Sequence, residues 1–150
     1  MRILGLALLL LTTASCSVAQ DSPYHLIPGA VPLDKGPDGN SIILEAPDGL
    51  IVVDTGRHPE HSKAIVDYAR ERGRPVAAII NSHWHLDHTT GNWDIRKAYP
   101  EAKVYASNGL EGAIAGFFPA SRKGAEEFLQ SGKASPAARA EIERGFHVMD

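Results

Sequence analysis

The sequence predicts an α/β layered domain, and three observations carry that prediction. Short apolar, β-branched runs alternate with amphipathic stretches of helical period. Gly, Pro and Asp clusters stand between them as turns. A dense group of His and Asp follows directly on one of the buried runs, at the strand end where such folds place their chemistry.

The elements follow in order. Residues 1–19 read as a secretory signal peptide: Met1-Arg2, a nine-residue apolar run from Ile3 to Leu11, then the small residues Ser17-Val18-Ala19 before Gln20. The run is too short to span a bilayer, so no membrane span is expected. Ala14-Ser15-Cys16 resembles the end of a bacterial lipobox, but Thr13 stands where Leu is usual, so a soluble periplasmic or secreted protein is favoured over a lipid anchor on Cys16. Residues 20–39, with Pro23, Pro28, Pro32 and Pro37, read as an extended lead-in.

The folded domain is expected over residues 40–150. Ser41 to Glu45 and Leu50 to Asp54 form a hairpin across the turn Ala46-Pro47-Asp48-Gly49. A helix runs from Pro59 or Glu60 to Arg72, with Ile65, Val66 and Ala69 on one stripe and Gly73 as its C-cap. Val76 to Ile80 is a third, buried strand. A short helix over 94–99 and a fourth strand over 103–106 follow. Beyond Ser107 only helices are expected, at 125–130 and 136–146, the latter capped by Ser135 with Pro136 at its first position. Residues 119–124, with the charge run Ser121-Arg122-Lys123, read as a polar break between them.

Composition narrows the function classes. With 150 residues there is room for one domain. Fifteen Lys and Arg against 18 Asp and Glu give a net charge of −3, with no basic excess for nucleic acid. A lone Cys excludes an internal disulfide and any multi-Cys metal site. Among seven His, five fall between positions 58 and 88.

The candidate site is His83-Trp84-His85-Leu86-Asp87-His88, directly after the third strand. His and Asp are zinc-type donors, nitrogen with one hard oxygen. His83 and His85, two residues apart, point the same way in an extended stretch and can grip one ion. Asp87 and His88 come after a turn and can face a second. His147 is disfavoured as a further ligand, because it reads as the end of the last helix. His58 and His61 read as a solvated helix N-terminus, and His25 needs no role. Trp84 reads as core or pocket-wall packing rather than a substrate stacker, and Glu126-Glu127 and Glu141 to Glu143 as solvated helix faces. The substrate-binding residues are not legible.

His83-x-His85-x-Asp87-His88, with Asp54-Thr55-Gly56 at the end of the preceding hairpin and the Gly91-Asn92 turn after it, resembles the metallo-β-lactamase superfamily of zinc hydrolases. The resemblance covers about residues 40–106. It implies an αβ/βα four-layer sandwich, of which this chain would be the N-terminal half, and two zinc ions, with other divalent metals as substitutes. It assigns His83 and His85 to the first zinc and Asp87 and His88 to the second. Asp87 would also orient the attacking water, and Asp54 would hold the metal loop from behind.

The reaction implied is attack of zinc-bound hydroxide on the carbonyl of a small-molecule ester, thioester, lactone or amide. Two alternatives stand beside it: a secreted class B β-lactamase, and a catalytically incomplete metal-binding or structural fragment. The family's later ligands have no match here, since Gly-His-Thr is absent around His147. Half a sandwich would also leave one sheet face uncovered, an apolar surface that favours self-association.

Overall fold

The computed structural model describes residues 22–30 and 36–149. The signal segment, Cys16 and Asp150 lie outside them. Five strands form one mixed sheet in the order β1-β2-β3-β4-β5: β1 Tyr24–Ile27, β2 Ser41–Ala46, β3 Gly49–Val53, β4 Val76–Asn81 and β5 Lys103–Ala106. The pairs β1–β2 and β2–β3 are antiparallel; β3–β4 and β4–β5 are parallel. The parallel joins need crossovers. α1 (Pro59–Glu71) makes the first, and α2 (Leu86–Thr89) with α3 (Asn92–Ala98) makes the second. After β5 the chain is helical: α4 (Gly109–Gly112), a π-helical turn (Ala113–Phe117), α5 (Phe118–Gln130) and α6 (Pro136–Met149). None of the described helices is long and apolar enough to cross a membrane.

Alternation along the strands sorts side chains onto two faces. Ile43, Leu50, Val52, Val76 and Ile79 meet Ile65, Val66 and Ala69 of α1 and Ile95 of α3 in the core. Leu50, Val52, Ile65, Ile79 and Ile95 are fully buried, each contributing on the order of 1.5–3 kcal/mol through area removed from water.

The opposite face carries two cross-strand rows. One is Tyr24, Leu44, Ile51, Ala78 and Lys103; the other is Leu26, Ile42, Val53, Ile80 and Tyr105. Nine of these ten are apolar, and Tyr24, Leu26 and Tyr105 are about half exposed. Among the described residues all core helices pack on the other side, so this is the arrangement of half a sandwich.

Three sequence expectations change. β1 lies inside the expected lead-in. Its flanking prolines, Pro23 and Pro28, bracket an edge strand rather than break one. The expected break at 119–124 is instead continuous helix. Pro119 follows directly on the π-helical turn, and the charge run beyond it forms i,i+4 pairs, Arg122–Glu126 and Lys123–Glu127. α6 continues to Met149, its start capped as expected by the Ser135 hydroxyl, which accepts from the Ala138 N–H at 3.1 Å.

Candidate metal centre

The four candidate ligands leave the sheet together at the C-terminal end of β4. His83 and His85 lie in the extended segment before α2, and Asp87 and His88 on its single turn. Their rings crowd one another: His83 and His85 centroids are 4.7 Å apart, His83 and His88 4.1 Å. Two donor pairs result. His83 Nε2 faces His85 Nδ1 at 3.2 Å, and His88 Nε2 faces Asp87 Oδ2 at 3.4 Å. Ligands at zinc–donor distances in a tetrahedron stand about 3.3 Å apart, so both pairs have the spacing of one tetrahedral edge. Among the described residues no three His, Cys, Asp or Glu side chains converge on a single point. Each pair therefore supplies two donors, and the donor chemistry fits a zinc-type cation.

Asp54 organises this group from behind. It has φ 58°, left-handed backbone that a non-glycine residue adopts at a cost of roughly 1–2 kcal/mol. That twist turns its buried carboxylate toward the loop. Oδ1 accepts from the Ser82 N–H at 2.8 Å; Oδ2 accepts from the Ser82 hydroxyl at 2.6 Å and from His88 Nδ1 at 2.8 Å. Tautomers follow from these contacts. His88 must carry its proton on Nδ1 to donate to a carboxylate, which leaves an electron pair on Nε2. The Ser82 hydroxyl spends its only proton on Asp54, so it can only accept from His83 Nδ1 at 3.0 Å. His83 is thereby protonated on Nδ1 as well, with Nε2 free. One carboxylate thus sets the donor atom of two histidines, one in each pair.

The rest of the Asp54-Thr55-Gly56 segment clamps the loop's far end. The His88 carbonyl accepts from the Thr55 N–H at 2.9 Å and from Asn81 Nδ2 at 3.1 Å. The Thr55 hydroxyl donates to Asn92 Oδ1 at 2.8 Å, and Asn92 Nδ2 donates to Asn81 Oδ1 at 2.7 Å. Gly91 permits this closure: a Cβ there would lie 2.1 Å from the Thr55 carbonyl oxygen. The lead-in closes the other side. The Gly39 N–H donates to the Asp87 carbonyl at 2.9 Å, and a Cβ on Gly39 would meet the His88 ring at 2.7 Å.

Ser82, Asn81 and Gly39 are not identifiable as site residues from sequence. A serine beside a histidine motif and a glycine in a Pro-rich segment carry no spacing signal. Two histidines are also corrected. His58 and His61 are buried rather than solvated, each about 5% exposed. His58 Nε2 meets the Gly36 carbonyl at 2.7 Å, and His61 Nε2 meets the Ser41 hydroxyl at 2.7 Å. Burial holds the His61 pKa below the usual histidine value. The start of α1 lacks a cap of its own and borrows Asp38, which accepts from the Arg57 and His58 N–H groups. Away from the ligand pairs, His25 stacks on Tyr68 at 4.0 Å and His147 on Trp93 at 4.2 Å. Trp84 packs on Phe117 at 4.3 Å, forming a wall beside His85.

A sheet whose parallel strand ends in paired His and Asp side chains, backed by one carboxylate, defines an α/β domain with a candidate metal site. The metallo-beta-lactamase superfamily profile matches residues 35–142, and the chain belongs to that superfamily. It is 40% identical over 50 residues to a linear primary-alkylsulfatase of Pseudomonas sp. (strain ATCC 19151), a match covering 33% of this chain and 10% of the relative. Over 58 residues it is 38% identical to a hydroxyacylglutathione hydrolase of Synechococcus sp. (strain JA-3-3Ab), covering 39% of this chain and 23% of the relative. The matched segments are thus a quarter or less of those relatives' lengths. Among solved structures, a subclass B3 metallo-beta-lactamase isolated from a soil metagenome library aligns with a TM-score of 0.45 at 26% identity, covering 61% of this chain and 31% of that one.

Proposed function

We propose that this chain supplies the N-terminal, metal-ligating part of a zinc-dependent hydrolase, with His83 and His85 holding one ion and Asp87 and His88 a second. The observation that carries this reading is the Asp54–Ser82 relay, which leaves Nε2 of both His83 and His88 as electron-pair donors beside their partners. Zinc bound there would lower the pKa of water toward neutrality and polarise a substrate carbonyl. Asp87, its side chain a quarter exposed and anchored only at one oxygen to His88, orients the attacking water and accepts its proton. The substrate is a small molecule with an ester, thioester, lactone or amide bond. The hydrolase and sulfatase activities in the relatives' names support hydrolysis over other chemistries. The chain is exported to the periplasm or beyond, on the signal-like pattern of residues 1–19.

A second reading has its own observation. Two donors per pair, with no third among the described residues, fit a protein that binds metal without turning over substrate. Elemental analysis of the purified chain after dialysis against a weak chelator tests the metal: about two zincs per chain is expected, and none refutes the assignment. Asp87→Ala then separates the readings. An enzyme loses turnover of a thioester or β-lactam panel by orders of magnitude, whereas a binder shows no turnover to lose.

A further inference from the structure

On the helix-covered side of the sheet, beyond β4 and β5, lies a cavity of about 450 Å³, a size that suits a small organic ligand. His83 is among its lining residues. The walls are apolar: Trp84, Trp93, Val104, Leu110 and Phe118. Val104 and Trp93 remain about 40% exposed there, so the surface is open rather than filled by the protein's own packing. Arg96 and Lys97 also line it, on the last turn of α3. α3 begins at Asn92, whose amide is fastened to Asn81 beneath the metal loop. At 1.5 Å rise per residue the two cations sit about 6–8 Å further along the helix, away from that loop.

Their lack of partners is informative. Elsewhere among the described residues, most Lys and Arg side chains meet a carboxylate: Lys63 with Asp67, Arg72 with Glu45, Arg139 with Glu143 and Arg144 with Asp94. Arg96 and Lys97 have none among the described residues, and the one acid of α3, Asp94, is taken by Arg144. Lys97 lies instead 4.9 Å from the centre of the Trp93 ring. Two adjacent cations lining an apolar cavity complement a single anion on an apolar body.

We infer that this cavity binds an apolar chain ending in one anionic group, the chain lying between Trp84, Trp93 and Phe118 and the anion held by Arg96 and Lys97. The inference rests on the proposed hydrolase in one respect: the bond to be cleaved would lie beside His83, so the substrate carries its anion away from the scissile group. Neutral substrates and short polar acids would bind poorly.

The test needs no activity. The chain has two tryptophans, Trp84 and Trp93, and both line the cavity, so intrinsic fluorescence reads its occupancy directly. Decanoate, titrated below its micelle concentration into the full chain, should give a saturable shift. 1-Decanol, with the same chain length and no charge, should bind at least tenfold more weakly, and acetate not at all. Arg96→Glu with Lys97→Glu should weaken decanoate at least tenfold and leave decanol unchanged. Ala106→Phe, which fills the cavity from β5, should weaken both. No saturable response to decanoate, or equal affinity for decanol and decanoate, overturns the inference on the unmodified chain alone. A zinc titration of the same unmodified chain separates the two readings. Decanoate binding without zinc binding in the unmodified chain would sink only the hydrolase; zinc binding without decanoate binding would sink only this cavity assignment.

Discussion

Asp54 is the residue on which fold and site depend most, and three substitutions at it separate what it does. Its carboxylate accepts three hydrogen bonds, two from Ser82 and one from His88. Bonds to a charged group are worth about 1.5–3 kcal/mol each, and the lower end applies because Ser82 is exposed and His88 keeps a fifth of its side chain in water. Asp54→Ala loses all three and keeps a Cβ in left-handed backbone, so it should destabilise the chain by about 3–5 kcal/mol. Asp54→Gly loses the same bonds but relieves the strain at φ 58°, and should recover about 1 kcal/mol of that loss. Asp54→Asn tolerates the backbone and keeps an acceptor oxygen for His88, so its stability loss should stay near 1–2 kcal/mol.

Metal affinity should order differently. Asp54→Asn weakens the charge that holds the Nδ1 proton of His88 and offers Ser82 an amide in place of one carboxylate oxygen. Loss of such a partner behind a metal-binding histidine typically costs 10–100-fold in affinity, or about 1.4–2.8 kcal/mol. Urea denaturation gives the stabilities, and competition with a chromophoric chelator gives the zinc affinity. If folded Asp54→Asn binds zinc within twofold of the unmodified chain, the relay does not orient the ligands and the reasoning fails. If Asp54→Gly is no more stable than Asp54→Ala, the strain argument fails.

Other consequences are as direct. His61 has its pKa lowered by burial, so between that value and the ordinary 6.5 the unfolded chain binds more protons than the folded one. Stability is therefore full above pH 6.5 and falls as pH drops below it; His61→Asn should flatten this slope in melts from pH 7.5 to 5, and an unchanged slope would contradict it. Gly91→Ala drives a Cβ into the Thr55 backbone and should cost about 3 kcal/mol or more, whereas Gly124→Ala, in open space within α5, should gain about 0.5–1 kcal/mol; chemical denaturation of the pair checks both. The uncovered sheet face should draw two copies of the chain together, since Leu26, Ile42 and Tyr105 lie in one exposed row. Sedimentation velocity should show concentration-dependent dimers, abolished by Ile42→Lys with Tyr105→Lys; a monomer at all concentrations argues against that contact.

Sequence pattern located the hairpin, α1, β4 and β5 and marked the candidate donor residues, because each carries its own period or spacing. Ile65, Val66 and Ala69 mark a helix face by themselves, and His83 to His88 mark a candidate metal loop by themselves. What stayed illegible is what depends on a partner far away in the chain. β1 is a strand because β2 offers it an edge, and four scattered prolines outweigh four strand residues in any local reading. α5 is the exception: its pairs Arg122–Glu126 and Lys123–Glu127 are local, and the polar run beside Pro119 masked the helix they belong to. His58 is buried because Gly36 and Asp38 come back to it from the lead-in.

The same division explains the site. The proposed ligands are local and readable, whereas their orientation is not. Ser82 matters only because Asp54, 28 residues earlier, takes its proton. That proton fixes which nitrogen of His83 is free. The fold's contribution to the chemistry is therefore the parallel pairing of β3 and β4, which places the end of one strand beside the end of the next. The Asp54 N–H donates to the Ile80 carbonyl at 2.9 Å, continuing the β3–β4 ladder to the point where the carboxylate turns toward Ser82. A one-residue slip in that register would send Ser82 to the other side of the loop and leave both histidines free to flip. The register is held by Val52 and Ile79, both fully buried under α1 and α3, far from any ligand. Core packing and donor geometry are thus set by the same strand pair. Val52→Ala should accordingly loosen zinc binding as well as stability, although its side chain touches no proposed ligand.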